Sequence, residues 1–175
     1  MFIYRMSKEL FTLPLRYKKR DLEPVMSAKT IDYHYEHLAK NYAINYNAGK
    51  GNPSFNKAGN FLHNIFFAQF KEHVITSNNP YGKIAIFINK HYKNFNSFKE
   101  AVKTIAMKIE GSGWIYLSTD GSIKTIHNHQ VRHDIVLLID WWEHAWALDY
   151  QSNKGGYLDN IWSIIDWEVI NSKVY

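Results

Sequence analysis

The sequence predicts an α+β protein: an N-terminal α-helical hairpin, followed by a mixed α/β part with a three-stranded antiparallel sheet. Two observations carry this expectation. In the first half, apolar and aromatic residues recur at three- and four-residue steps, the helical period; late in the chain they fall in short strand-like runs. Between the halves, Asn78-Asn79-Pro80-Tyr81-Gly82 breaks any regular element. The expected division is an N-terminal helical hairpin domain over 1–78 and a C-terminal α/β domain over 79–175.

The opening MFIYRMSKELF has too short an apolar core for a secretory signal, and Met6 serves equally well as a start. Leu13-Pro14-Leu15 and the basic RYKKR after it read as extended chain. Ser27 is a good N-cap for a helix entered through Ala28, Lys29 and Thr30. Over 31–43 that helix is rich in aromatics, with His34, Leu38 and Tyr42 on one face at four-residue steps. A Gly/Asn/Pro-rich connection over 45–53 leads to a second helix over about 56–72, which carries Phe61, Leu62, His63, Phe66, Phe67 and Phe70. Two helices joined by a short loop pack as an antiparallel pair.

Two more helices are expected over 83–94 and 97–109, the second capped by Ser97 and followed by a stop at Gly111-Ser112-Gly113. Residues 114–118 and 123–127 alternate like strands around a turn at Asp120-Gly121, a strong hairpin cue. Ile135-Val136-Leu137-Leu138-Ile139 suits a strand buried on both faces and is too short for an ordinary helix. There is no internal repeat and no low-complexity tract.

Composition narrows the chemistry. A chain of 175 residues, 46% hydrophobic and 16% aromatic, can bury a good-sized core. No apolar run reaches the roughly 18 residues of a membrane span, so no membrane partner is expected and the cytoplasm is the default compartment. Outside 16–20 the basic residues behind the +5 charge are scattered, which speaks against nucleic acid and suits attraction of a small anion. Cysteine is absent, so a metal must be held by His, Asp or Glu, a donor set that suits iron, manganese or zinc.

The chemistry concentrates in Ile135 to Tyr150, IVLLIDWWEHAWALDY. Asp140 ends the aliphatic run and His144 follows four residues on, packed among Trp141, Trp142 and Trp146. Burying such a pair is costly unless something binds it, and a metal ion satisfies both groups. A helix-start Asp with a half-exposed His fits the same spacing. His34 and His63 each sit on an apolar helix face, one in each arm of the hairpin, where facing helices build metal sites. Three imidazoles and one carboxylate leave an open position on iron or manganese for a small ligand.

These residues carry a resemblance. Asp140-Trp141-Trp142-Glu143-His144-Ala145 resembles the D-x-W-E-H-A signature of the iron/manganese superoxide dismutases, and the match runs on through Leu148-Asp149-Tyr150, Gly156-Tyr157-Leu158, Trp162 and Trp167-Glu168. Ser27-Ala28 with Asp32-Tyr33-His34-Tyr35 is similar to the family's first-ligand segment, and His63-Asn64-Ile65-Phe66-Phe67 to its second-ligand segment, H-x-F-Y-W. Gly111-Ser112-Gly113-Trp114 matches its G-S-G-W. The resemblance spans about 13–173.

It implies the family's fold, superoxide as substrate and one iron or manganese ion per subunit, held between the two parts by His34, His63, Asp140 and His144. It makes Tyr42 the guard of the substrate channel and places Trp114 and Trp142 against the metal. Gly59 stands at one position from which members bond the metal's solvent, so His129 is expected in that role, with Gln130 and His127 as fallbacks. His37, His73, His91 and His133 are left to the surface. A homodimer is implied, with Glu143 reaching the ligand His of the other subunit. The sequence departs from the pattern where Leu38 replaces a His and Trp146-Ala147 replaces Tyr-Tyr, two groups that hydrogen-bond across the family's interface. The alternative is a structural or binding protein that keeps the fold around a non-catalytic metal. A zinc hydrolase fares worse, since no HExxH motif is present.

Overall fold

A computed structural model describes residues 9–175. The alternative start at Met6 lies outside the described residues. The chain from 9 to 15 has neither helix nor strand and is tied down by Asn side chains; it bends at 16–17, and the expected extended RYKKR instead enters a 3-10 turn over Lys19–Leu22. Asn47 bonds both backbone polar groups of Leu10, Asn64 accepts from the Leu13 N–H, and Asn60 and Asn64 both donate to the Phe11 carbonyl.

The first long helix, α1, runs through 28–47 in three pieces: α-helical Ala28–Ile31, π-helical Asp32–Ala39 and α-helical Lys40–Asn47. Ser27 caps it, its side chain accepting from the Thr30 N–H, as the sequence predicts. The π segment is not legible from four-residue spacing. There the Lys40 N–H reaches back to the Tyr35 carbonyl, which admits one extra residue to the turn.

Helix α2, Pro53–Ala68, starts three residues before the expected position because Asn52 caps it and Pro53 fills its first turn. It stops before the expected 72 because tertiary partners claim the chain. Gln69 bonds both the N–H and the carbonyl of Leu138 through its side chain, Phe70 pairs with Ile165, and the Lys71 N–H donates to Ile164.

Residues 71–81 contain neither helix nor strand. Helices α3, Gly82–Tyr92, and α4, Phe95–Ala106, follow. The cap of α4 is Asn94, whose side chain accepts from the Ser97 N–H; Ser97 lies inside the first turn. Strands β1, Gly113–Ser118, β2, Ile123–His127, and β3, Ile135–Asp140, form an antiparallel sheet of order β2-β1-β3. Gly121, at φ +85°, makes the turn between β1 and β2. Every residue of β1 and β3 is buried, so the aliphatic run is covered on both faces.

After β3 the chain does not continue as a regular helix. A 3-10 turn, Glu143–Ala145, precedes the four-residue α5, Ala147–Tyr150. Helix α6, Lys154–Asn160, and helix α7, Trp167–Asn171, close the fold. One continuous core runs from Leu22 to Val174 and takes in both helical and sheet regions. Among the described residues, no helix is long and apolar enough to cross a membrane.

Candidate metal centre

Three segments converge under the helical pair: the π turn of α1, the middle of α2, and the end of β3 with the turn after it. They bring His34, His63, Asp140 and His144 together, with one donor atom of each lying within 4.8 Å of all the others. His34, His63 and Asp140 are fully buried, and the His144 side chain is 12% exposed.

Asp140 organises the group. Its Oδ1 accepts the Trp142 N–H at 2.8 Å, which turns the chain sharply and sets His144 back over the carboxylate. Its Oδ2 faces three imidazole Nε2 atoms, at 3.1 Å from His34, 3.3 Å from His144 and 3.6 Å from His63.

The protonation of His63 follows from its neighbours. Its Nδ1 lies 2.7 Å from the Gly59 carbonyl, which can only accept, so Nδ1 carries a proton. Burial holds the ring well below the usual imidazole range, so it is neutral and Nε2 has only a lone pair. Burial likewise lowers His34 to about 4. Burial by itself raises the Asp140 carboxyl, but the imidazoles of His144 and His34 outweigh it and hold the group well below the carboxylate range. The His63 lone pair thus points at a carboxylate oxygen. Neither Nε2 of His34 nor Nε2 of His63 has a hydrogen-bond partner. Buried polar atoms are rarely orphaned, and one cation between these donors satisfies all of them at once. A single anionic oxygen with neutral nitrogens is a donor set for iron or manganese.

A polar chain lies beside this group. His129 is buried at 7% exposure, and its Nδ1 accepts the indole N–H of Trp114 at 3.1 Å. Burial pushes His129 down to about 4, so it is neutral, its proton sits on Nε2, and that N–H donates to Tyr42 Oη at 2.9 Å. Tyr42 therefore keeps its own hydroxyl proton to give elsewhere. Burial, then the charge of Asp140, raises its pKa, so the phenol stays protonated. Both nitrogens of His129 are thus engaged by protein groups, Trp114 on one side and Tyr42 on the other. His127 and Gln130 are exposed.

Aromatic rings wall the site. Trp142 stacks on His129 at 4.6 Å and on His144 at 5.6 Å, Phe67 meets His34 edge-on at 4.8 Å, and Trp114 meets His63 edge-on at 5.0 Å. Glu143 is exposed. Sequence reasoning missed Phe55 and the packing role of Gly59. Phe55 lies 4.7 Å from His129 and nothing in its spacing marked it. Gly59 is required by shape as well as by its carbonyl: a Cβ there would lie 2.7 Å from the Tyr42 ring. A glycine inside a helical run was its available signal.

Residues 80–173 match the family model described as iron/manganese superoxide dismutases, C-terminal domain. The chain is 33% identical to a superoxide dismutase [Fe] of Bacteroides fragilis, over 97% of this chain and 100% of that protein. It is also 33% identical to a superoxide dismutase [Mn/Fe] of Porphyromonas gingivalis, over 96% and 100%. With a superoxide dismutase [Fe] of Escherichia coli it shares 31% identity, over 94% and 97%. Matched in sequence along nearly its whole length, and folded around three histidines and an aspartate whose lone pairs call for a cation, the chain belongs to the iron/manganese superoxide dismutase family.

Proposed function

We propose that this chain is a superoxide dismutase that converts superoxide to oxygen and hydrogen peroxide with one iron or manganese ion, held by His34, His63, Asp140 and His144. The observation that carries the reading is the buried donor set, in which a deprotonated His63 Nε2 faces Asp140 Oδ2 at 3.6 Å. When bound, the metal supplies the redox chemistry, taking an electron from one superoxide and giving one to a second.

The chain's own residues supply the rest. Asp140 contributes the negative charge that offsets a cation, and burial keeps the imidazoles of His34 and His63 neutral and able to coordinate. Tyr42 holds a proton at Oη, and His129 fixes that hydroxyl from one side so that its hydrogen is aimed away from the imidazole. His129 thus acts through Tyr42 and is assigned as a positioning residue. Trp142 stacks against both His129 and His144 and so packs the wall between them.

The same reading makes the functional unit a homodimer, with each exposed Glu143 bonded to His144 of the partner subunit, and with Leu38 and Ala147 making an apolar contact at its rim. A two-fold arrangement of this kind works only reciprocally. It keeps 1–78 and 79–175 as two domains with the metal between them, in the cytoplasm, with no nucleic-acid or membrane partner.

The test is elemental analysis of protein purified without added metal, together with a superoxide assay. One iron or manganese per chain with rapid superoxide loss is expected. Bound metal with no superoxide loss would assign the protein a structural metal instead. Sedimentation of Glu143→Ala, expected to dissociate and to lose metal, tests the dimer separately.

A further inference from the structure

Apart from the metal centre, one nucleophile stands out. Lys173, just past α7, lines a cavity of about 90 Å³ with Phe87, Thr119, Val136, Val174 and Tyr175. Lys19, Lys40, Lys103 and Lys124 each have a carboxylate within 4 Å. Lys173, like the remaining described lysines, has no carboxylate within 4 Å; what sets it apart is the cavity, lined mostly by apolar side chains. We propose that Lys173 is an acylation site, its Nζ taking a small acyl group of the acetyl class from an activated donor, an acyl phosphate or a thioester.

The geometry favours a neutral product. An ammonium beside Phe87, Val136 and Val174 is poorly solvated, and conversion to an amide removes that penalty. The Thr119 hydroxyl is the only side-chain polar group of the lining, besides the amine itself and the Tyr175 phenol, that can bond the new carbonyl. A carbamate or phosphoryl adduct would instead place negative charge among those apolar side chains. Burial also lowers the amine to about 8, so at pH 7.5 roughly a quarter is the free base, against about one in a thousand for an ordinary lysine. In the reaction the Nζ lone pair forms a C–N bond to the acyl carbon. The C–O bond to phosphate, or the C–S bond to thiol, breaks with its electron pair, and the displaced Nζ proton goes to water. No oxidant or reductant is involved.

The experiment treats the metal-loaded full chain at pH 7.5 with acetyl phosphate, and in parallel with an acetyl thioester, to low extent. Peptide mass spectrometry then ranks every lysine by rate. Lys173 should react about tenfold faster than the median lysine with at least one donor, and the faster donor identifies the source. Its rate should level off above pH 8, and its advantage should vanish in urea, where the cavity is gone. A rate at or below the median with both donors, or an advantage that survives unfolding, would overturn the proposal.

Discussion

At the residue scale the site depends on which nitrogen carries which proton. Trp114 has only a donor, so it decides the tautomer of His129, and through it the direction of the Tyr42 hydroxyl. Trp114→Phe keeps the ring and deletes that donor. We expect metal content within error of the parent and superoxide turnover down by about 10–100-fold, the usual effect of losing an outer hydrogen bond at a metal site. Loss of metal in parallel with activity would show that Trp114 serves only packing. Lys173 gives a pH prediction. Its folded pKa, about 8, lies below the ordinary 10.5, so between those values the unfolded chain holds more protons than the folded one. Stability contributed by this group is therefore lowest below pH 8 and rises as pH climbs to about 10.5. Lys173→Met, with no charge to desolvate, should be more stable than the parent by on the order of 1–3 kcal/mol at pH 7, and the gap should close by pH 10.5. Urea unfolding of both proteins across that range measures it, and a constant gap would reject it.

At the element scale, the end of α2 couples the two halves of the site. His63 rides on α2 and Asp140 ends β3, and Gln69 joins those elements by bonding both backbone groups of Leu138. Gln69 is fully buried, so truncation leaves an N–H and a carbonyl inside the core without partners. Gln69→Ala should cost about 2–5 kcal/mol, from two unsatisfied groups plus a small cavity, and should weaken metal retention although it alters no ligand. Denaturant melts and competition with a chelator give the two numbers. A stability loss below 1 kcal/mol would mean that water replaces the amide and that the elements are held by other contacts. The π turn of α1 acts at the same scale. It lets His34 and Tyr42 flank His63, whose ring lies 5.1 Å from each of theirs.

At the scale of the whole molecule, the four donors come from positions 34 to 144, so a bound ion cross-links α1, α2 and the segment that ends the sheet. A ligand that binds only the folded state stabilises it by mass action, by about 4 kcal/mol at a thousand times its dissociation constant. Stripping the metal should therefore lower Tm by roughly 5–15 °C, with recovery on adding back iron or manganese. Calorimetry of loaded, stripped and reloaded protein tests this. An unchanged Tm would place the ion outside the structural core. Without the ion, lone pairs and a carboxylate oxygen face one another in a buried pocket, which the bound ion would relieve.

How much of this was legible in sequence depends on whether the cause is local. The Ser27 cap, the Asp120-Gly121 turn and the buried aliphatic strand are written in adjacent residues, because caps, turns and hydrophobic period act over a few positions. The apolar helix faces carrying His34 and His63 and the Asp140-to-His144 spacing are also local features, and it is the fold that brings one donor atom of each within 4.8 Å of the others. The stop of α2 at Ala68 was not legible, because Leu138 and Ile165, distant in sequence, compete for its last backbone and side-chain groups. The sheet order, the extra residue in the α1 turn and the fit of Gly59 against Tyr42 were likewise hidden. Sequence alone determined which chemical groups the protein owns and the local shapes that present them. Tertiary structure decided their protonation and aim, because a proton's place is set by partners that only folding brings within 3 Å.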